Sequence, residues 1–157
     1  MAEITVREAS AADINNVLRR LRPEHLQGIR ESTYLEPGSA VWLSVEDSCA
    51  VFSGKADGIV LFIAGVSRKR LFSNAGSVWM LATPEIDNHP LEAATALRRL
   101  FGRAHRLAGA KTLEQWIPAW YRKGIKWLLW LGWEARDTIR IKGYPHIHMT
   151  HSAMEDA

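Results

Sequence analysis

Trp116-Ile117-Pro118-Ala119-Trp120-Tyr121-Arg122-Lys123-Gly124-Ile125-Lys126-Trp127-Leu128-Leu129-Trp130-Leu131-Gly132-Trp133 holds five of the seven tryptophans of a 157-residue chain. Thr112 to Ile117 reads as a strand, and Pro118 is placed to open a helix running to Leu131. Gly132 is then the left-handed stop. On a wheel of about 100° per residue, Trp120, Tyr121, Gly124, Ile125, Trp127, Leu128 and Leu131 share one broad arc, which predicts a helix docked deeply on a sheet. Arg122, Lys123, Lys126 and Trp130 occupy the other arc. Trp130 is open to two readings: a surface ring under lysine stems, or a contact residue for a partner.

Upstream of this run, Pro90 to Leu107 repeats apolar residues at helical spacing, with Leu91, Ala94, Leu97, Phe101, Ala104 and Ala108 expected to face inward and Gly109 as the stop. Before it come three β-rich runs, Cys49–Ser53, Ile59–Val66 and Ser77–Ala82. The first two flank Gly54-Lys55-Ala56-Asp57-Gly58, whose Asp-Gly pair is a hairpin signal. An antiparallel meander is expected. Toward the N-terminus, Ile4–Arg7 reads as a strand, Ser10 with Asp13 as a capping box, and Ile14, Val17, Leu18 and Leu21 as a helix face. Pro23 stops that helix or opens a second, and Ser39–Ser48 reads as a third. Downstream, Trp133–Ile141 and His146–Thr150 form a closing hairpin around Lys142-Gly143-Tyr144-Pro145. Residues 1–151 read as one domain and 152–157 as an acidic tail.

Composition narrows the function classes. Apolar residues are 47% and charged residues 24%, which excludes a disordered or fibrous chain. A single cysteine, Cys49, can form neither an internal disulfide nor a cysteine zinc site, so a reducing compartment is expected. No signal peptide is read at the N-terminus, and the longest apolar run, Gly58–Val66, is too short to span a membrane. Net charge is only +3, but the basic excess falls after residue 67. Arg99, Arg103 and Arg106 line one side of the long helix, and Arg68-Lys69-Arg70 with Arg122, Lys123 and Lys126 extend the positive half. That surface is either solvated or binds an acidic partner protein or, non-specifically, nucleic acid.

The order strand, helices, three-strand meander, helix, strand, helix, hairpin resembles the GNAT (acyl-CoA N-acyltransferase-like) fold, an α/β class with a mixed, mostly antiparallel sheet and flanking helices. The helix 121–133 is similar to that family's Asn-x-x-Ala-Ile-x-x-Tyr-x-x-x-Gly-Phe motif, with Gly124-Ile125 and Gly132-Trp133 at the matching places. Ser77-Val78-Trp79-Met80-Leu81-Ala82-Thr83, a basic helix and the Ile125-x-x-Leu128-x-x-Leu131-Gly132 pattern together resemble the small acetyltransferase-like internal core and assembly proteins of T7-type bacteriophages. The resemblance implies a host-cytoplasmic or virion location, other virion or host proteins as partners, and acetyl-CoA as cofactor if the chain is active. It implies cofactor contacts from the backbone of Trp79, Met80, Leu81, Ala82 and Thr83.

The sequence departs from the family where its chemistry is carried. In place of a glycine-rich pyrophosphate loop stands Thr83-Pro84-Glu85-Ile86-Asp87-Asn88-His89-Pro90, with two prolines, no glycine and two carboxylates that would repel a phosphate. Tyr121 replaces the family's Asn, and Leu128 replaces the Tyr that protonates the leaving thiolate. Two alternatives stay open: a degenerate scaffold that binds a partner, or an N-acetyltransferase that acts on a protein amine. For the enzyme, Glu114 as base and Tyr121 are the candidate catalytic residues. His146-x-His148, with His151 nearby, could hold a metal, but no Asp, Glu or Cys adjoins the pair in sequence. Two exposed histidines on a hairpin, with no metal, are the expected state.

Overall fold

The computed structural model describes residues 3–69 and 73–153; Arg70 of the predicted basic surface and tail residues 154–157 lie outside them. Seven strands form one sheet in the order β1-β2-β3-β4-β5-β7-β6, and every neighbouring pair is antiparallel except β4 with β5. The strands are β1 (Thr5–Glu8), β2 (Ala50–Ala56), β3 (Ile59–Ser67), β4 (Ala75–Ala82), β5 (Thr112–Pro118), β6 (Glu134–Ile141) and β7 (Tyr144–Ser152). Helices α1 (Ala11–Arg19), α2 (Pro23–Ser32) and α3 (Pro37–Asp47) belong to one face, α4 (Pro90–Ala108) and α5 (Arg122–Trp130) to the other.

Local chemistry explains these boundaries. Ser10 and Asp13 form the expected capping box at the start of α1. Asp57 and Gly58, at φ 51° and 77°, make a two-residue turn. Gly54–Ala56 are therefore strand rather than loop. The same device closes β6–β7 at Lys142 and Gly143, φ 55° and 85°, so Tyr144 and Pro145 also join a strand. β3 is apolar and buried along nearly its whole length because both faces carry helices. Phe62, Leu97, Phe101, Leu113 and Met149 centre the larger core. Ile14, Val17, Val41 and Ile63 centre the smaller one. Ser152 and Ala153, expected in the tail, are tied to Thr112 and Lys111.

Two expectations about the tryptophan run fail. Pro118 does not open a helix: it ends β5 opposite His146, and Ala119 donates to the Pro145 carbonyl at 3.0 Å. A turn follows, with Tyr121 N–H bonded to Pro118 and Arg122 N–H to Trp120. The helix starts only at Arg122, so Trp120 leaves the apolar arc. It is 42% exposed, its indole N–H bonded to Glu31 at 2.9 Å. Trp133 is buried, whereas Trp116 and Trp130 are exposed and Trp79 and Trp127 are intermediate. Most of the tryptophan excess therefore lines a cleft rather than filling a core. Leu91, expected inside, is also exposed.

Candidate functional site in the split sheet

β4 and β5 pair over only three positions, Ala75–Thr112, Gly76–Leu113 and Ser77–Glu114. Beyond Ser77, β4 stays bound to β3 as far as Ala82, and β5 to β7 as far as Pro118, so the two strands part. A cleft of about 950 Å³ opens between them, walled by α2 and α3 on one side and α5 on the other. Among the predicted site residues, Glu114, Tyr121 and β4 residues Trp79 to Ala82 line it, together with Lys123, Lys126 and Trp130 at its rim.

Strand geometry decides which backbone groups face the cleft. Thr83 N–H donates to the Leu61 carbonyl at 3.0 Å, so by antiparallel alternation Trp79 and Leu81 bond toward β3, while Met80 and Ala82 direct N–H and C=O toward the split. At Ala82 both groups are taken by α2. The Ala82 N–H donates to His25 Nδ1 at 2.9 Å, and its carbonyl accepts from Arg22 N–H at 3.0 Å. The outward groups of Met80 make no such contact with α2 among the described residues. Thr83, expected in the cofactor set, is fully buried with its hydroxyl on the Val60 carbonyl, so it leaves the site.

The stretch after β4 is a 3-10 turn, Pro84–Asn88, followed by Pro90 at the first position of α4. Its carboxylates do not stand bare, as the sequence suggested. Glu85 is paired with Arg20, and Asp87 with Arg22 at 2.6 Å and with Lys123 at 3.5 Å. Burial pushes the Asp87 carboxyl up, but the Arg22 hydrogen bond and the charges of Arg22 and Lys123 outweigh it and hold it below the usual range. The end of the cleft nearest α4 thus satisfies its charges internally. Prolines at both ends of the turn also remove N–H donors an anion would need.

Tyr121 packs edge-on against His25, ring centroids 5.7 Å apart, and folds over Gly124, where a Cβ would lie 2.6 Å from its ring. Desolvation raises the Tyr121 hydroxyl above its ordinary value. Leu128 is buried in the core. Desolvation, aided by the Arg22 charge, pushes His25 down to about 4, so at neutral pH it is an uncharged acceptor for Ala82. Because the unfolded histidine titrates near 6.5, the unfolded chain binds the extra proton between pH 6.5 and about 4, and stability must fall across that window on acidification. His25→Gln, which keeps an acceptor and removes the titration, is expected to flatten the decline of Tm between pH 7 and 4.5. An unchanged slope would exclude His25 as a source.

The histidines of β7 differ from expectation. His146 is 1% exposed, with Nδ1 2.9 Å from the Tyr144 carbonyl and Nε2 buried without a partner among the described residues. His148 bonds to Glu114 at 2.9 Å and stacks on Trp116 at 5.0 Å. Glu114 does adjoin the pair, then, through strand pairing rather than sequence. His151 lies on the opposite face, 2.8 Å from His105. Among the described residues, no group of three or more His, Cys, Asp or Glu side chains is placed to hold a metal ion, and no helix is long and apolar enough to cross a membrane.

The predicted partner residues separate into two places. Arg99, Arg103 and Arg106 lie on the exposed side of α4, Arg103 resting over Phe52 at 4.7 Å. Arg122, Lys123 and Lys126 are exposed on α5. The cation over Trp130 is Arg98, 4.9 Å from the ring and also bonded to the Trp130 carbonyl, rather than any lysine of α5. His25, Arg22 and Glu31 went unrecognised as site residues, and His146 was weighed only as a metal ligand. Their places depend on α2 lying across the split, which local spacing does not encode.

No protein-family model and no curated protein matches the sequence. Solved structures do. A Salmonella typhimurium protein described as an acetyltransferase, solved with its cofactor acetyl-CoA, superposes with a TM-score of 0.68 at 16% identity, covering 98% of this chain and 96% of the other. The acetyltransferase of GNAT family from Streptococcus pneumoniae gives 0.67 at 13% identity, covering 97% and 100%. The ribosomal-protein-alanine N-acetyltransferase from Brucella melitensis gives 0.66 at 16% identity, covering 94% and 99%. With the element order and the mixed seven-stranded sheet, these likenesses show that the chain has the GNAT fold.

Proposed function

We propose that this protein is an acetyltransferase-like binding protein: it keeps the GNAT frame and cleft, and its own side chains take the place of the acetyl-CoA pyrophosphate. The observation that carries the reading is the closure at the α4 end, where Arg22 and His25 hold both backbone groups of Ala82 and Arg22 also pairs with Asp87. Leu128, with no proton to give, supports it from the α5 side. The resemblance over 77–133 extends the proposal to the setting of phage assembly, as an internal virion or assembly protein. In that setting the basic rim and the exposed face of α4 meet an acidic surface of another virion or host protein. Incubation with radiolabelled acetyl-CoA and a mixture of amine and peptide acceptors is expected to give no protein-dependent transfer, and transfer above the buffer rate abolished by Glu114→Gln would overturn the reading.

The second reading, acetyl transfer to an amine with Glu114 as base and Tyr121 as acid, is favoured by the open backbone of Met80 in a split sheet. Trp130 offers a separate check on the partner surface. Trp130→Ala is expected to change stability by less than about 1 kcal/mol, since ring and guanidinium are both solvent-facing. Salt-sensitive association with assembling particles should fall at least tenfold. Unchanged association would remove Trp130 from the interface.

A further inference from the structure

We propose that the inner end of the cleft, between Trp116 and His146, is a binding subsite for a small molecule with a flat aromatic ring that carries a neutral N–H or O–H donor. The inference rests on reading the cleft as a ligand site. The Tyr144 carbonyl can only accept, so the His146 nitrogen 2.9 Å from it, Nδ1, carries the hydrogen. In the neutral ring, Nε2 is then a lone-pair acceptor. It is buried, has no partner among the described residues, and belongs to a residue that lines the cleft. A buried acceptor without a partner is destabilising, and a donor brought by a ligand removes that penalty.

Strand register supplies the second wall. Pro118 pairs with His146 and Trp116 with His148, so Trp116 and His146 are diagonal neighbours on one face, within reach of a single ring system. His148 stacks on one face of the Trp116 indole, and Trp116 remains 39% exposed in the cleft. An incoming ring extends that stack. The carboxylates nearby are already engaged: Glu114 accepts from His148, and Glu31 accepts from Trp120 and Gln27. A cationic group would find no free counter-charge beside His146 among the described residues, so the favoured donor is neutral. The cleft volume suits a compact organic molecule rather than a folded segment.

Indole and N-methylindole are the probes, equal in stacking surface and different in the one hydrogen. Titrated into the full chain and followed by the side-chain 15N resonances of His146, indole is expected to bind at least tenfold more tightly and to move the Nε2 signal. His146→Phe should abolish that preference while retaining ring binding. Equal binding of the two probes, a preference that survives His146→Phe, or no binding of either up to their solubility limits would each overturn the subsite. The probe comparison on the unmodified protein stands even if the variant fails to fold. Acetyl-CoA binding or transfer would overturn the scaffold reading and leave this result unaffected.

Discussion

Gly65→Ala is expected to lower stability by about 3 kcal/mol and Tm by roughly 6 to 12 °C, with loss of the near-ultraviolet signal of Trp79. Gly65 is paired with Trp79 across β3 and β4, and the indole occupies the space a side chain at Gly65 would need. A Cβ on Gly65 would stand 2.1 Å from Trp79 Nε1 and 2.2 Å from Cε2. The ring has little freedom to yield, because Nε1 donates to Ser48 Oγ at 2.9 Å and the ring packs on the core beneath α1 and α3. Relief requires the indole to swing into the cleft, so the same variant should also weaken any cleft ligand. A variant within 0.5 kcal/mol of the parent would show that Trp79 is loosely held and that the wall of the cleft is soft.

Arg22→Ala is expected to cost about 2 to 3 kcal/mol at pH 7. Arg22 is 8% exposed and holds Glu24 at 3.0 Å and Asp87 at 2.6 Å. Its loss leaves Asp87 with Lys123 alone, at 3.5 Å and well exposed. Asp87 titrates below its ordinary value in the folded protein, so its contribution is present above the unfolded value and is lost as pH falls through the folded one. The gap between parent and variant should therefore be widest at neutral pH and shrink below about pH 4. A gap independent of pH would mean that Arg22 acts by packing and that the ion pair is incidental.

Much of the frame was legible because it rests on local rules. Ser10 with Asp13, the Asp57-Gly58 turn and Gly109 at the end of α4 each fix a boundary through chemistry within a few residues. Pro118 misled because proline at a first helical position and proline at the end of a strand look alike in sequence. The pairing of Ala119 with Pro145, 26 residues away, decides between them. The tryptophans misled for a related reason: periodicity shows which residues share a face, and the parting of β4 from β5 decides whether that face meets a core or a cleft. Glu85 and Asp87 were read as bare negative charge. Their partners Arg20 and Arg22 come from the connection between α1 and α2, 65 residues away in each case. His146 was expected to be exposed, but it is buried, and α2 packs at Gly28 against Pro118, the strand partner of His146, a contact that local spacing does not encode.

In the proposed function, the protein's own groups occupy the place of the cofactor's pyrophosphate. Calorimetric titration of acetyl-CoA into the intact chain at pH 7 and low salt tests it most directly, because low salt favours any residual attraction for phosphate. No saturable heat is expected up to millimolar ligand. Saturable binding at submillimolar concentration, a free energy more favourable than about −4 kcal/mol, would contradict it and restore the transferase reading.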